Sequence, residues 1–353
     1  MERCIFINGN HRKFSGRVME GGYSRNVAWE KWLLNNTNRL KDIRLRDGKI
    51  FHNIQTYCIL LFSRNKVILF LYPLVGVPLF YMNVFEKVLS SVFFICLDYS
   101  LKHNRVVFDI SDLKYEQAVD LELMNKRAGI RGQEIEKRLF STKAYFIFAS
   151  YEMRRYACEK YGINFENTDV CINGGSTLDV QVLENQIDLN EINYVYAGTL
   201  NRGRQIEQLI ESFPKAPGIH LYLLGTNGEW IKEMQGNITY LGPMEEVKAH
   251  YFVSLCDVGL IPYDESRLYY NIAYPTKLSF YITAKIPYIS TPVKEVCRVD
   301  NDINGGWIES INKWTGLFNK LTKEEIARKK ANIEVVSDDF LWDKIFSRNI
   351  FIH

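Results

Sequence analysis

Short apolar runs alternate with longer amphipathic stretches along almost the whole chain. That alternation is what a parallel sheet covered by helices requires, because a strand buried on both faces must be apolar throughout while its crossover helix needs one apolar stripe. In the first half the pattern predicts strands at Cys4–Asn8, Ile43–Leu45, Val67–Tyr72, Val106–Ile110, Tyr145–Ala149 and Val170–Ile172. Helices are predicted over Ser24–Asn35, Leu79–Tyr99, Tyr115–Phe140 and Tyr151–Tyr161, with Ser150 as a helix cap. Asn173-Gly174-Gly175-Ser176 and the polar residues after it then interrupt the series. A second series follows. Its predicted strands are Asn193–Ala197, His220–Leu224, Ile238–Leu241, Val258–Ile261, Tyr288–Ser290 and Gly306–Ile308. Its predicted helices are Gly203–Phe213, Glu229–Gln235, Met244–Leu255, Tyr274–Ala284 and Glu309–Leu321, with a helical tail from Lys323 that breaks near Ser337. The expected fold is thus α/β with two Rossmann-like, doubly wound domains. Their expected limits are 1–172 and 191–337, with a linker at 173–190 and a last helix at 338–353. Two open sheets facing each other would make the cleft between them the natural active site.

Composition narrows the function. Forty-four Lys and Arg against 41 Asp and Glu give a net charge of +3, too small an excess to drive binding to a phosphate backbone, so nucleic acid is excluded as a first partner. The seven cysteines are scattered without a CxxC pair, which fits reduced core thiols in a cytosolic protein and neither a disulfide frame nor a zinc site. The N-terminus reads as a first strand and not as a signal peptide. Val67–Val84 carries no charge over 18 residues, near the minimum for a membrane span, but Pro73, Gly76 and Pro78 break it. A peripheral apolar face is the expectation there, on the inner side of a membrane.

Five stretches could carry chemistry. Val195–Arg204 runs an apolar strand into a Gly turn before a helix, with Gly198, Thr199, Arg202 and Arg204 offering backbone N–H groups and guanidinium forks to a phosphate. Tyr274–Ile282 places Pro275 at the first helical position and Lys277 in the first turn, where a cation opposes the helix dipole unless an anion joins it. Tyr263 and Glu265 follow a buried strand and could take a base and a ribose hydroxyl. Gly21, Gly22 and Arg25 precede or open the first helix. Asp109 and Asp112 end a strand, and one could act as a general base, with His11 a third candidate and a capping role the ordinary reading of Asp112. No P-loop, HExxH or GxSxG is present.

The second half resembles the donor domain of GT-B nucleotide-sugar glycosyltransferases, of the bacterial surface-polysaccharide type. "YAGTLNRGRQIEQLIESF", "LYLLGTNG", "ITYLGPMEEVKAHYFVSLCDVGLIPY" and "YPTKLSFYITAKIPYIST" stand in that family's order, and "DDFLWDKIFSRNI" is similar to its last helix, which crosses back to the first domain. The resemblance implies transfer of a hexose from a UDP-linked sugar to a lipid-linked or growing surface glycan, without a bound metal. It implies that Gly198, Thr199, Arg202, Arg204 and Lys277 hold the diphosphate, that Tyr263 and Glu265 handle the nucleoside, and that Gly21, Gly22 and Arg25 line the acceptor side. Asp112, Asp109 or His11 would be the base of an inverting reaction. Two residues depart from the pattern: Phe280 stands where many members carry an acid, and Lys285 where they carry Gly. The alternative is a non-catalytic GT-B-like partner subunit of a polysaccharide-synthesis complex. A sugar-nucleotide epimerase fits the two-domain layout but needs different catalytic histidines and acids.

Overall fold

The computed structural model describes residues 4–11, 21–37, 40–45, 49–73, 84–122, 126–183, 187–201, 205–231 and 236–348. The chain divides into two compact units, one of Met1–Gly16, Asn26–Ile172 and Phe346–His353, the other of Arg17–Arg25 and Asn173–Ile345.

The first unit is β1 (Cys4–His11), α1 (Gly21–Asn36), β2 (Lys41–Leu45), α2 (Lys49–Phe62), β3 (Val67–Tyr72), α3 (Val84–Ser100), β4 (Arg105–Ile110), α4 (Lys114–Asp120), α5 (Lys126–Phe140), β5 (Tyr145–Phe148), α6 (Tyr151–Tyr161) and β6 (Thr168–Val170). Its six strands are parallel in the order β2-β1-β3-β4-β5-β6. Burial explains the apolar runs: in β3 every residue after Val67 is buried, and the same holds for β4 after Arg105. Register places Phe70 beside Phe108 and Phe108 beside Phe146, and the rings stack at 5.0 and 6.0 Å across three strands. The Ser150 hydroxyl caps α6 by accepting the Met153 N–H at 2.8 Å, as the sequence predicts.

The second unit is β7 (Ile192–Ala197), α7 (Ile206–Ser212), β8 (Ile219–Leu224), β9 (Ile238–Gly242), α8 (Glu246–Leu255), β10 (Val258–Ile261), α9 (Leu268–Ile272), α10 (Thr276–Thr283), β11 (Tyr288–Ser290), α11 (Lys294–Ile303), β12 (Gly306–Ile308), α12 (Trp314–Phe318), α13 (Lys323–Val336) and α14 (Trp342–Ser347). The sheet is parallel in the order β12-β11-β10-β7-β8-β9. On one side Tyr194, Phe213 and Phe318 pack edge to face, with ring centroids 4.9–5.6 Å apart. From Phe346 the chain belongs to the first unit, where that ring lies 4.1 Å from Trp29.

Several elements differ from the sequence reading. Helices α2, α9 and α11 were not expected; α9 is barely longer than one turn, and α2 reads as a short apolar run that periodicity does not separate from a strand. The single helix expected over Tyr115–Phe140 is two, with Glu122 in the left-handed region just after α4. Residues 229–231, expected to open a helix, form a turn, and 232–235 lie outside the described residues. The expected linker begins inside the second unit. Asn173 carbonyl accepts the Ser279 hydroxyl at 2.6 Å, Gly175 N–H donates to Phe340 carbonyl, and Trp342 N–H donates to Gly175 carbonyl. Of the apolar Val67–Val84 run, β3 is described and residues 74–83 are not. No helix among the described residues is long and apolar enough to cross a membrane.

A polar knot is buried in the first unit. Glu136 of α5 accepts the Tyr72 hydroxyl at 2.7 Å, the Tyr161 hydroxyl at 2.9 Å and the Tyr115 N–H at 3.0 Å, while Lys160 pairs with Glu116. Burial, and after it the nearby Glu116 carboxylate, pushes the Glu136 carboxyl up to about 7. In the unfolded chain the group returns to its ordinary range near 4.5. The folded state therefore holds the proton between these values, and this contribution to stability is complete below the lower one and lost as pH rises through the upper. Glu136→Gln, which mimics the protonated form, is expected to remove up to about 1.4 kcal/mol per pH unit of that decline. Chemical denaturation of both proteins from pH 5 to 8 checks it; identical pH slopes would mean that Glu136 titrates normally.

Candidate functional site

The second sheet reverses its winding between β7 and β10: β8 and β9 are added on one side, β11 and β12 on the other. In an open parallel sheet the crevice beyond the strand ends at such a reversal is where ligands bind. β7 and β10 pair only through Val258–Tyr194 and Gly259–Val195. Beyond that point they part, and backbone groups that a continuous ladder would satisfy need other partners. Tyr281 of α10 supplies them. Its fully buried hydroxyl accepts the Ala197 N–H at 3.1 Å and lies 3.1 Å from the Leu260 carbonyl, to which it donates. Burial drives this phenol's pKa well above its ordinary value, so it stays a neutral donor. Position 259 must be glycine because a Cβ there would fall 2.5 Å from the Tyr281 ring.

Lys277 lies four residues before Tyr281 on α10 and therefore on the same helix face. Anchoring Tyr281 delivers the Lys277 ammonium to the strand ends. It stands 4.8 Å from the centre of the Tyr196 ring and 5.2 Å from that of Tyr263, with the Tyr263 hydroxyl at 3.4 Å. A Cβ at Gly198, whose φ is 148°, would lie 2.7 Å from the Lys277 Cε and Nζ atoms. Tyr196 is fixed in turn by its hydroxyl, which donates to Thr199 carbonyl at 2.9 Å. Gly198, Thr199, Tyr263 and Lys277 therefore lie together, so that Tyr263, expected at the nucleoside, stands beside the residues expected at the diphosphate. Tyr196 and Tyr281 were not foreseen; the i, i+4 spacing of Lys277 and Tyr281 was the available signal.

The position of Lys277 needs one correction. Pro275 is the N-cap residue of α10 and not its first helical residue, and no side chain caps this end. Among the described residues no carboxylate pairs with Lys277, and no acceptor takes the Thr276 and Lys277 N–H groups. The two aromatic faces offset part of the cost of a cation at a helix N-terminus. The Tyr263 ring also stacks on Tyr270 at 4.7 Å and 9°, so it is engaged in this seat and is not a free platform for a base. Glu265 is half-buried, and its carboxylate makes no hydrogen bond among the described residues. Its neighbour Asp264 is committed to Ser266 and Arg267. Arg202 and Arg204 lie outside the described residues.

The remaining candidates are dispersed. Gly21 and Gly22 form the first turn of α1 and do not precede it. Arg25 is buried and donates to the Asn173 Oδ1 at 3.2 Å. His11 is the last residue of β1, and its side chain lies outside the described atoms. Asp109 is only 1% exposed within β4, between Leu71 and Ile147 in register. Asp112 is half-buried beyond the strand end. It is not the cap of the following helix: Leu113 holds the N-cap position without a side-chain bond, and the carboxylate of Glu136 takes the Tyr115 N–H instead. Phe280 packs 4.9 Å from His250, whose imidazole burial lowers to about 4. Lys285 adopts a φ of 60°, a left-handed conformation that glycine enters without strain.

No family model matches the sequence, and no curated protein matches it. Solved structures do. The chain is similar to WaaG, a glycosyltransferase involved in lipopolysaccharide biosynthesis, at 14% identity and a TM-score of 0.63, with 98% of each chain covered. It is similar to Anabaena HepE, solved in complex with UDP-glucose, at 10% identity and a TM-score of 0.62 over 99% of this chain and 98% of that one. The sucrose-phosphate synthase of Thermosynechococcus elongatus gives 12% identity and a TM-score of 0.67, over 98% and 96%. At these identities the likeness establishes the fold, which is GT-B.

Tyr281→Phe is expected to leave Ala197 N–H and Leu260 carbonyl unpaired at the parting of β7 and β10, at about 1–3 kcal/mol of stability. Urea denaturation measures it, and a loss within error would show that water replaces the hydroxyl without cost.

Proposed function

We propose that this chain is a glycosyltransferase that moves a hexose from a UDP-linked donor to a lipid-linked or growing surface polysaccharide. The observation that carries the reading is the Lys277 ammonium, unpaired with any described carboxylate, set beside Gly198 and the uncapped N-terminus of α10. A fixed cation, a close-approach glycine and free helix N–H groups are together a receptor for a diphosphate. The fold likeness adds a donor class, since the similar HepE was solved with UDP and with UDP-glucose. Likeness to WaaG, described as acting in lipopolysaccharide biosynthesis, supports the acceptor class.

In the proposed reaction UDP leaves as the glycosidic bond to the acceptor forms. The charge developing on the departing diphosphate is stabilised by Lys277, by the N–H groups of Thr276 and Lys277, and by Arg202 and Arg204, which follow β7 in the sequence. These groups do the work that a metal does elsewhere, and the enzyme is proposed to need none. Glu265 holds a nucleoside hydroxyl in place of the acid that Phe280 displaces. Asp112 removes the acceptor proton; it is preferred over Asp109, which is sealed inside β4, and over His11. Gly21, Gly22 and Arg25 serve the acceptor side. The protein is proposed to act on the cytoplasmic face of a membrane, as a peripheral protein.

Lys277→Ala is expected to weaken UDP binding about 10- to 150-fold, the loss of one charge-assisted contact of ~1.5–3 kcal/mol, while the melting temperature stays unchanged. Isothermal titration calorimetry reads it, and an unaltered UDP affinity would remove Lys277 from the site. Asp112→Asn is expected to lower turnover of a UDP-sugar ~100- to 10,000-fold with donor affinity kept. Retained turnover would move the base elsewhere or assign the reaction a mechanism that needs none.

A further inference from the structure

One oxygen of Glu136 holds both ends of a turn. Glu136 Oε1 accepts the Tyr72 hydroxyl at 2.7 Å and the Tyr115 N–H at 3.0 Å. Tyr72 ends β3, and its carbonyl accepts the Ser111 N–H at 3.2 Å and the Ser111 hydroxyl at 2.9 Å. Tyr115 lies in the first turn of α4. A closed circuit therefore runs from Ser111 through Tyr72 and Glu136 to Tyr115. Asp112, Leu113 and Lys114 complete it, and Asp112 is the half-buried carboxylate beyond the end of β4.

The circuit is braced from a third side. Glu136 is fully buried, and its Oε2 accepts the Tyr161 hydroxyl of α6 at 2.9 Å. Lys160, the residue before Tyr161, sets its ammonium 4.5 Å from the centre of the Tyr115 ring while pairing with Glu116. Tyr115 is thus gripped by its ring from α6 and by its N–H from α5. The N-cap residue, Leu113, makes no side-chain bond to this helix end. Well-packed apolar groups often replace buried charged ones without loss of stability, so stability alone does not explain such a cluster. What a buried polar network specifies is one geometry, and here that geometry is the turn between β4 and α4.

We infer that Glu136 is a positioning residue for the transfer reaction, holding the Asp112 carboxylate in the place from which it removes the acceptor proton. The inference rests on the proposed role of Asp112 as the base. Glu136 itself meets no substrate; it acts through the turn. All that the circuit requires at position 136 is an acceptor oxygen. A glutamine oxygen can take the Tyr72 and Tyr115 donors, with its amide N–H donating to the Tyr161 hydroxyl. A leucine of similar size offers nothing to either donor. Misplacing a reacting group by about 1 Å costs on the order of 100-fold in rate, so a slackened turn is read in turnover before it is read in the fold.

Two measurements on the full chain test it. Amide hydrogen exchange over residues 111–115 reads the circuit without any substrate: it is expected to quicken in Glu136→Leu and to stay slow in Glu136→Gln. Steady-state kinetics, with UDP-glucose as donor and lipopolysaccharide as acceptor, reads the role. Glu136→Leu is expected to lower kcat ~100-fold with UDP affinity kept, and Glu136→Gln to recover most of that turnover. In an Asp112→Asn background Glu136→Leu is expected to cost nothing further, because residues that act as a unit are not additive. Tyr72→Phe, which opens the circuit at one hydroxyl and keeps the ring, is expected to lower kcat in the same direction, and it decides alone if Glu136→Leu does not fold. Unchanged exchange, full turnover in the deciding variant, or losses that multiply with that of Asp112→Asn would overturn the inference and leave the base assigned. Full turnover in Asp112→Asn would overturn base and inference together. A wild type that neither binds UDP nor uses UDP-glucose would overturn the transfer reading, and this role with it, whatever the exchange shows of the turn.

Discussion

One phenolic hydroxyl stands where the second sheet divides. Parallel strands must separate at the point where winding reverses, and separation leaves donors and acceptors without ladder partners. Tyr281 accepts from Ala197 and donates to Leu260 across that gap, and its ring fills the space that only a glycine at 259 leaves open. Because Tyr281 belongs to α10, the bond that closes the gap also fixes the helix whose N-terminus faces the strand ends. Fold and candidate site share a single support: the residue that bridges the gap also brings in the cation.

That cation is seated by aromatic faces and not by a counter-charge. Lys277 lies over Tyr196 and Tyr263, and Tyr263 is itself backed by Tyr270. A carboxylate partner would neutralise the ammonium and compete with an incoming anion. Ring quadrupoles hold it with its charge undiminished. An anion and the aromatic seat can therefore act on it together, as the proposed diphosphate site requires.

The first unit solves a different problem. Its sheet is sealed by phenylalanines stacked in register, and a buried Glu136 ties β3, α4, α5 and α6 through two tyrosine hydroxyls and one N–H. With the interior so closed, the apolar residues of α2 and α3 that face outward are surplus to its packing.

Much of this was legible in the sequence. Apolar runs placed both sheets, because burial on both faces leaves a strand no alternative composition, and a strand–Gly turn with a proline-led helix singled out Gly198, Thr199 and Lys277. Periodicity did not reveal α2, which is too apolar to be told from a strand, nor the break after α4, where Glu122 turns into the left-handed region. Asp109 lies inside the apolar run and Asp112 beyond it, so the sequence already ranked Asp112 as the freer carboxylate, and the burial of Asp109 between β3 and β5 agrees. The sequence by itself determined the fold class and marked the glycine, lysine and tyrosine side chains of the strand ends as candidates, because local pattern and chemistry are properties of the chain. Only the tertiary structure decided that Tyr281 closes the gap, that Tyr196 and Tyr263 seat Lys277, and that α2 and α3 turn apolar faces outward, because these depend on contacts between residues that sequence distance keeps apart.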